Sequence, residues 1–289
     1  MKNLIIDGNN LVHRTFWTAK ATAKGDELKI DNFHVYFTLN AIKSYVDMFK
    51  PDHIYMCWDE KPDYQQNERK GMFEDYKGNR SSDLSPHRNN VRIREFLCSL
   101  GIPSLFPRQL EADDIVSYLC TTLPDQKCII SVDKDFLQLV DTNITVYDPI
   151  RKQIVTPDNF EEVAKCTKSD FVKVKCVLGD KSDNVPGIAG FGKVKLGKFL
   201  AGQIKLTQEE EEIYNRNHEL FRLDRWKDAS CQDEAVYYEQ QLEGSVLPMP
   251  CYKTFIDMCK DAAMWSIFHK KEVWYSTFFA KSKMQSLFS

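Results

Sequence analysis

The sequence has no long hydrophobic run, no closely spaced cysteine pair and no surplus of basic residues. No stretch approaches the roughly 18 apolar residues of a membrane-spanning helix, and Asp7 interrupts the first apolar run too early for a signal peptide. The nine cysteines include no Cys-x-x-Cys pair, which gives a zinc site little support. We therefore expect a cytoplasmic protein with reduced thiols and no membrane partner.

The composition, 43% hydrophobic and 28% charged over 289 residues, is typical of a globular protein with one large or two modest domains. The formal net charge is −3, but nine acidic residues occur in five short clusters. These are Asp7, Asp59, Glu111, Asp113, Asp114, Asp133, Asp135, Asp180 and Asp183. Setting them aside leaves 33 acidic against 39 basic residues. Such a surface suits contact with a polyanion, although mixed charge without functional meaning explains the composition equally well.

Short apolar segments that alternate with amphipathic ones predict an α/β fold, with a mostly parallel central sheet flanked by helices. The predicted strands cover residues 3–6, 54–58 and 128–132, and an edge hairpin covers 144–147 and 153–155. The predicted helices cover residues 9–20, 33–49, 86–100, 112–123, 160–165, 169–178, 193–200, 208–223, 252–264 and 271–287. We predict an α/β core at 1–160, with a loop or arch at about 61–100, and a helical part at 161–289.

Three of the acidic clusters follow predicted strands. Asp7, Asp59 and Asp133 each come directly after one, and the carboxyl ends of parallel strands meet at one edge of a sheet. Carboxylates repel one another and resist burial, so such a gathering needs a cationic partner. Oxygen ligands favour hard divalent cations such as Mg²⁺ or Mn²⁺. The sequence therefore predicts a two-metal site of the kind that hydrolyses phosphodiesters.

Two of the clusters also have simpler explanations, which account for only part of each. Acids in a first helical turn are worth about 0.3–1 kcal/mol each, which explains one member of Glu111-Ala112-Asp113-Asp114 but not three that repel. A helix N-cap explains either Asp133 or Asp135, but not both. An EF-hand loop is excluded because its sixth and twelfth positions would be Gln138 and Ile144.

Residues 179–193 form the most specific stretch of the chain, and we predict a helix-hairpin-helix at about 169–205. Its glycines and the lysines that follow them are Gly187, Gly190, Gly192, Lys193, Lys195 and Lys198. Glycines permit tight turns, and the backbone N–H groups at a helix start bind phosphate without reading base identity. A plain helical hairpin with a glycine turn is the alternative, and the paired acids before it and the lysines after it favour the phosphate-binding interpretation.

The turn Tyr76-Lys77-Gly78-Asn79-Arg80 lies between the second predicted strand and the basic helix at 86–100. Lys77 and Arg80 are suited to stabilise negative charge on a scissile phosphate. A solvated basic loop explains such a turn equally well, so this motif alone carries little weight.

The order of these motifs resembles that of the flap endonuclease and 5′→3′ exonuclease family. They are Asp-Gly-Asn-Asn after the first strand, an aspartate after the second, Tyr-Lys-Gly-Asn-Arg, Glu-Ala-Asp-Asp, Ser-x-Asp-x-Asp and Gly-Asp-x-x-Asp-Asn-x-Pro-Gly-x-x-Gly-x-Gly. The family includes phage 5′ nucleases, among them the phage RNase H-like type, and the 5′ nuclease domain of bacterial DNA polymerase I. The resemblance covers roughly residues 2–225. The compact length is most similar to the stand-alone phage type, which implies the cytoplasm of an infected bacterial cell.

This resemblance implies a structure-specific 5′ nuclease with a PIN-like core and a helix–three-turn–helix. The nine acids would surround two Mg²⁺ or Mn²⁺ ions, with Asp180 and Asp183 mainly at the second. Lys77, Arg80 and Arg14 would face the scissile phosphate, and the hairpin would grip duplex backbone and hold K⁺ on its carbonyls. The implied partners are branched or nicked duplex DNA, an RNA–DNA hybrid, and a sliding clamp or single-strand-binding protein. The chain departs from the family at Val194, where a lysine is usual.

Two other functions stay open at this point: a PIN-type single-stranded ribonuclease and a non-catalytic DNA junction-binding protein. The hairpin region argues against the first, and the gap-free acid set argues against the second. The sequence leaves open the preferred substrate, the balance of exonuclease and endonuclease action, strand threading and the oligomeric state. Residues 284–289 resemble peptides that dock on sliding clamps, although a last helical turn packed on the core is the simpler interpretation.

Overall fold

A computed structural model of the chain describes residues 1–59, 68–79, 83–243 and 247–280. Its main sheet has six strands, which are β1 (Lys2–Asp7), β2 (His53–Cys57), β3 (Ser104–Leu105), β4 (Gln126–Ile130), β5 (Ile144–Asp148) and β6 (Gln153–Val155). Their order across the sheet is β3-β2-β1-β4-β5-β6. All neighbours are parallel except β5 and β6, which form the antiparallel edge hairpin that the sequence predicts.

The helices of the described part follow the predicted order with three additions. They are α1 (Gly8–Ala23), α2 (Glu27–Phe49), α3 (Glu68–Met72), α4 (Asn90–Ser99), α5 (Ala112–Thr122), α6 (Phe160–Ala164), α7 (Lys168–Leu178), α8 (Lys193–Leu200), α9 (Gln208–Phe221), α10 (Gln232–Leu242), α11 (Tyr252–Asp261), α12 (Trp265–His269) and α13 (Lys271–Phe278). The two-residue strand β3 and the helices α3, α10 and α12 were not predicted. Three of these four are too short to show a clear period, and α10 mixes exposed and buried polar residues.

Several predicted bounds are corrected by local geometry. The helix predicted at 86–100 begins at Asn90, because residues Ser85–His87 form a separate 3₁₀ turn that contains Pro86. The helix predicted at 252–264 ends at Asp261 and is followed by a residue, Ala263, with positive φ. The helix predicted at 271–287 is observed to Phe278, and its last part lies outside the described residues.

Both faces of the sheet are covered, as alternate residues of its central strand show. Leu4 and Ile6 of β1 lie in a core with α1, α2, α4 and the helices α11 to α13. Ile5 lies in a second core, with α5, α10 and the 3₁₀ helix Lys134–Leu139. Because helices from the C-terminal half complete both cores, the division at residue 160 stays a prediction. None of the described helices combines the length and apolar character that a membrane crossing requires.

A small two-stranded sheet, β7 (Gly179–Asp180) with β8 (Val185–Pro186), connects α7 to the turn before α8. Gly179 has a φ of +72°, and a Cβ atom there would lie 2.3 Å from the backbone nitrogen of Gly187. A Cβ atom on Gly187 would lie 2.3 Å from the carbonyl carbon of Leu178. Only glycine fits these two crossing points, which is why the loop can fold back on α7 so tightly.

Candidate active site

The carboxyl ends of the two central strands β1 and β4 deliver Asp7 and Asp133 to one edge of the sheet, and Asp59 follows β2 at the same edge. Asp7 is buried and caps helix α1. Its Oδ1 accepts a hydrogen bond from the backbone N–H of Asn10 at 3.0 Å, and its Oδ2 accepts one from the Ser131 hydroxyl at 2.8 Å. The Asp7 carboxylate is therefore fixed by two strands and a helix start.

Asp59 links the starts of two helices. Its Oδ2 accepts from the Asn9 side-chain amide at 2.9 Å, and its Oδ1 accepts from the backbone N–H of Ala112, the first residue of α5, at 2.7 Å. Gly8 makes this approach possible, because a Cβ atom there would lie 2.8 Å from the carbonyl oxygen of Cys57 and from the Trp58 ring. The glycine of the Asp-Gly-Asn-Asn motif thus brings α1 against the end of β2.

Glu111 and Lys77 form a buried ion pair beside these aspartates. The Lys77 ammonium lies 2.8 Å from Glu111 Oε1, and the Tyr76 hydroxyl donates to Glu111 Oε2 at 3.1 Å. Lys77 has a φ of +56°, and its backbone N–H donates to the carbonyl oxygen of Asp183 at 2.8 Å. The Tyr-Lys-Gly-Asn turn is thereby tied to the Gly-Asp loop, and the predicted Lys77 lies at the cluster. Arg80 lies outside the described residues.

The group of Asp7, Asp59, Asp113 and Asp133 is electrostatically strained. The pKa of Asp7 is raised to about 6, mainly by burial. The hydrogen bonds from Asn10 and Ser131 oppose this shift, and the charges of Asp133 and Asp59 add to it. Burial raises the pKa of Asp113 well above its ordinary range, and the charge of Asp133 adds to this, while Lys77 lowers it. Buried carboxylates in mutual repulsion are a donor set that a hard cation stabilises.

A second group comprises Asp135, Asp180 and Asp183, whose ligand oxygens all lie within 4.8 Å of one another. Within the described residues, this trio is the group of side chains close enough to share a metal ion. The Lys175 ammonium bridges it, with a hydrogen bond to Asp135 and a distance of 3.0 Å to Asp180 Oδ2. Burial raises the pKa of Asp135 to about 6 although Lys175 opposes this. Burial also raises the pKa of Asp180, but Ser182 and Lys175 outweigh it and the net shift is downward.

Lys175, Ser131 and Asn9 are site residues that the sequence reasoning missed. Lys175 lies in the last turn of α7, where a lysine is also explained by the helix dipole. Ser131 begins the Ser-x-Asp-x-Asp motif and also accepts from the backbone N–H of Asp133 at 3.0 Å. The spacing of Ser131 within that motif was the signal that could have identified it.

Asp114 is placed differently from the other eight predicted acids. It is fully buried, and its oxygens accept from Arg69 Nη1 at 2.6 Å and Nη2 at 3.0 Å. Its Oδ2 also accepts from the backbone N–H of Glu111 at 3.1 Å. Both oxygens are therefore engaged, and a metal-ligand role for Asp114 stays a prediction that this geometry does not support.

Arg14 lies two turns along α1 from Asp7. Its Nε donates to Asn10 Oδ1 at 3.0 Å, and its Nη2 donates to the Tyr45 hydroxyl at 3.3 Å. No carboxylate within the described part of the chain pairs with it, so its positive charge is not offset by an ion pair there.

The predicted hairpin is formed by α7, the β7–β8 loop and α8, which begins at Lys193 after the N-cap residue Gly192 and has no side-chain cap. Lys195 is engaged there: its ammonium lies 2.6 Å from Glu210 Oε1 and 4.1 Å from the centre of the Phe191 ring. Lys193 and Lys198 have no ion-pair partner among the residues that the structure describes. Val194 is 75% exposed, so the turn presents an apolar side chain at the position where the family usually has lysine.

A family model described as "5'-3' exonuclease, N-terminal resolvase-like domain" matches residues 2–165. The chain belongs to this 5′-3′ exonuclease family. It is 27% identical to a 5′-3′ exonuclease of Mycoplasmopsis pulmonis over 83% of this chain and 79% of that protein. It is 32% identical to flap endonuclease Xni of Shewanella denitrificans over 68% of this chain and 76% of that protein.

The chain also matches much longer proteins of the family over only part of their length. It is 29% identical to DNA polymerase I of Caldicellulosiruptor bescii over 74% of this chain but 25% of the polymerase. Among solved structures, a bacteriophage T5 flap endonuclease in complex with DNA and metal ions has a TM-score of 0.63 at 19% identity, covering 91% of this chain and all of that one. Flap endonuclease-1 of Methanococcus jannaschii has a TM-score of 0.58 at 14% identity, covering 97% and 93%. These structures confirm the predicted fold class.

Proposed function

We propose that the protein is a structure-specific 5′ nuclease, a flap endonuclease and 5′→3′ exonuclease that hydrolyses phosphodiesters with the help of two divalent metal ions. One observation carries this proposal: two groups of buried and half-buried carboxylates converge at one edge of the sheet, beside a hairpin whose turn and lysines suit a phosphate backbone. Relatives named as 5′-3′ exonucleases and flap endonucleases support it.

The residues present fit hard divalent cations, because every candidate ligand is a carboxylate oxygen and burial disfavours the unpaired anions. For the first ion we propose Asp7, Asp59, Asp113 and Asp133, with Glu111 nearby, because their charges oppose one another's ionisation. Among the described residues, no three of these carboxylates have oxygens within the 4.8 Å that spans the second group. Asp135, Asp180 and Asp183 would hold the second. When bound, such ions supply a water of lowered pKa and stabilise the leaving oxygen. We propose Mg²⁺ as the natural ion, with Mn²⁺ as a substitute, and K⁺ on the carbonyls of the hairpin.

The chain's own cations would neutralise the substrate. Lys77 is paired with Glu111, which is itself held by the Tyr76 hydroxyl, so the Lys77 ammonium is already fixed at the site where negative charge would develop. Arg14 is held by two neutral partners and keeps its full charge for a phosphate. For Arg80, which lies outside the described residues, we propose the phosphate-facing role that the family resemblance implies. The products would be a 5′-phosphate and a 3′-hydroxyl.

The hairpin would bind the duplex part of a branched or nicked DNA. Lys193 and Lys198 are the stronger candidates for phosphate contact, because Lys195 is paired with Glu210. Contacts to phosphate carry no base information, so we expect recognition of shape and not of sequence. An RNA–DNA hybrid, a sliding clamp and a single-strand-binding protein remain proposed partners of the same activity.

The test is a cleavage assay on a 5′-labelled flap DNA with Mg²⁺ and, as a control, with EDTA. We expect cuts near the junction that depend on Mg²⁺, and no cleavage of single-stranded RNA. Cleavage of the RNA alone would support a PIN-type ribonuclease. Tight binding of the flap DNA without cleavage in Mg²⁺ or Mn²⁺ would support a non-catalytic junction binder and would contradict the proposal.

A further inference from the structure

Arg69 is a buried arginine that none of the predicted functions uses. Its side chain is 1% exposed, and it lies in the short helix α3, eight residues before Lys77. A buried guanidinium is costly unless its donors are all satisfied. The structure satisfies them with partners from two separate parts of the chain, residues 111–114 and 220–222.

One side of the Arg69 guanidinium faces the acid run at the start of α5. Nη1 lies 2.6 Å from Asp114 Oδ2 and 3.4 Å from Glu111 Oε2, and Nη2 lies 3.0 Å from Asp114 Oδ1. The Asp114 oxygen nearest to Nη1 also accepts from the backbone N–H of Glu111. Arg69 therefore holds Glu111 directly and also through the local helix cap.

The other side of the guanidinium faces the end of α9. Nε donates to the carbonyl oxygen of Leu220 at 3.0 Å, and Nη2 donates to that of Arg222 at 3.1 Å. Helix α9 in turn grips the hairpin, because the Asn217 amide donates to the carbonyl oxygens of Cys176 at 2.8 Å and Pro186 at 2.9 Å. One side chain thus joins the carboxylates to the helix that braces the hairpin.

We infer that Arg69 is a positioning residue, which keeps Glu111 and the acid run of α5 in register with the duplex-binding hairpin. Asp114 acts through Arg69 as its anchor and is not itself a metal ligand. The inference rests on the proposed function. It adds the side chain that connects the duplex-binding hairpin to the carboxylates of the active site. The planar guanidinium of Arg69 donates hydrogen bonds on two sides, and the single ammonium of a lysine at this position cannot make all of them.

Arg225 provides a matched control from the same region. It is also buried and also binds α3, because its Nη2 lies 2.5 Å from Glu68 Oε1 and its Nη1 lies 3.0 Å from Glu219 Oε2. Glu68 and Arg69 are neighbours in the chain, so Arg69 and Arg225 attach the same helix to the same C-terminal segment. Among the residues that the structure describes, Arg225 contacts no member of either carboxylate group, whereas Arg69 contacts Glu111.

The experiment compares Arg69→Lys with Arg225→Lys in the full chain. Single-turnover cleavage of a 5′-flap DNA and the position of the cut are measured in Mg²⁺, and Mn²⁺ binding is measured by titration calorimetry. We expect Arg69→Lys to slow cleavage about 10- to 100-fold, because misplacement of about 1 Å can cost a factor of this size. It should also spread the cuts over neighbouring phosphodiesters and weaken Mn²⁺ binding. Arg225→Lys should stay within about twofold of the wild-type rate at a comparable loss of melting temperature.

A wild-type rate and a single cut for Arg69→Lys, or an equal slowing by Arg225→Lys, would overturn the inference. If circular dichroism shows that Arg69→Lys does not fold, Asp114→Asn replaces it. A slowed Asp114→Asn that still binds two Mn²⁺ supports the anchor role, whereas loss of one Mn²⁺ equivalent or a wild-type rate refutes it. If the wild type cuts no flap DNA, the proposed function fails, and the difference in Mn²⁺ binding between the two arginine variants then tests Arg69 alone.

Discussion

The two carboxylate groups are held in place by different means. In the first, Asp7 and Asp59 accept hydrogen bonds from backbone N–H groups at the starts of α1 and α5. In the second, Asp135 and Asp180 share the side-chain ammonium of Lys175. Backbone donors at helix starts cannot move without the helix, whereas a lysine side chain has several rotatable bonds. The first group is therefore preorganised, and the second is kept together by a cation that a metal ion has to displace or accommodate.

The largest effect that we predict comes from the second group. Asp183→Asn removes a ligand charge from the trio, and loss of several kcal/mol of charge stabilisation corresponds to a rate loss of more than about 100-fold. DNA binding in EDTA should stay within about twofold of the wild type. Single-turnover cleavage and binding isotherms check the two quantities separately. Weakened DNA binding with an unchanged cleavage rate for bound substrate would show that Asp183 contributes to DNA binding and not to the cleavage step.

The next effect concerns the link between the two groups. Lys77 pairs with Glu111 by its side chain and with the Asp183 carbonyl by its backbone. Lys77→Ala should lower the single-turnover rate about 100-fold, as loss of a preorganised donor to developing charge does. Lys70→Ala, in the nearby helix α3, is the control for a general loss of basic charge. An unaltered single-turnover rate for Lys77→Ala would remove it from the catalytic residues.

A third prediction tests the role of Lys175 directly. Lys175→Met leaves Asp135 and Asp180 without their buried cation, so we expect a loss of about 3 kcal/mol of stability in EDTA. Mn²⁺ should restore more of the melting temperature in this variant than it adds to the wild type, because no ammonium competes for the trio. Lys173→Met is the matched control, because the Lys173 side chain lies on the exposed face of α7 and pairs with Asp170. An equal response of Lys175→Met and wild type to Mn²⁺ would mean that the ammonium and the ion do not compete.

The difference between the groups also explains what the sequence could predict. Asp7, Asp59 and Asp133 were identified because strand ends are visible as apolar runs that stop at an acid, and parallel strands end at one edge. Lys175 and Arg69 were missed because their roles arise from contacts with partners 40 or more residues away, as with Asp135 and Asp114. A lysine at a helix end and an arginine in a charged segment have ordinary local explanations. Helix α10 and strand β3 were missed because tertiary packing, and not periodicity, stabilises them.

A fourth prediction uses pH to compare the groups in the metal-free protein. Burial raises the pKa of Asp7 from 3.8 to about 6. Since the folded state then binds more protons than the unfolded state between these values, the contribution of Asp7 to stability falls as pH rises from about 4 to about 6. The upper bound is about 3 kcal/mol. In EDTA, the stability of Asp7→Asn relative to the wild type should therefore be higher at pH 7 than at pH 4.5. Thermal unfolding of both proteins at the two pH values measures this difference.

Asp135→Asn provides the comparison for this measurement. Burial also raises the pKa of Asp135 to about 6, but the carboxylate interacts with Lys175, which opposes the shift. Its replacement also removes a partner of that lysine, so the gain at pH 7 should be smaller than that of Asp7→Asn. Equal gains would indicate that Lys175 does not stabilise the second group.

The smallest effect should come from the hairpin lysines, which act on binding and not on either carboxylate group. Lys193→Ala and Lys198→Ala should each weaken duplex binding and reduce the slope of log Kd against log salt concentration by about 0.9, the value for one phosphate contact. Lys195→Ala should change the slope less, because Lys195 is engaged by Glu210 and Phe191. Single-turnover rates at saturating DNA should be unchanged in all three. A slope change that is largest for Lys195→Ala would mean that a DNA phosphate displaces Glu210 from Lys195. The hairpin beside the second carboxylate group would then rearrange when DNA binds.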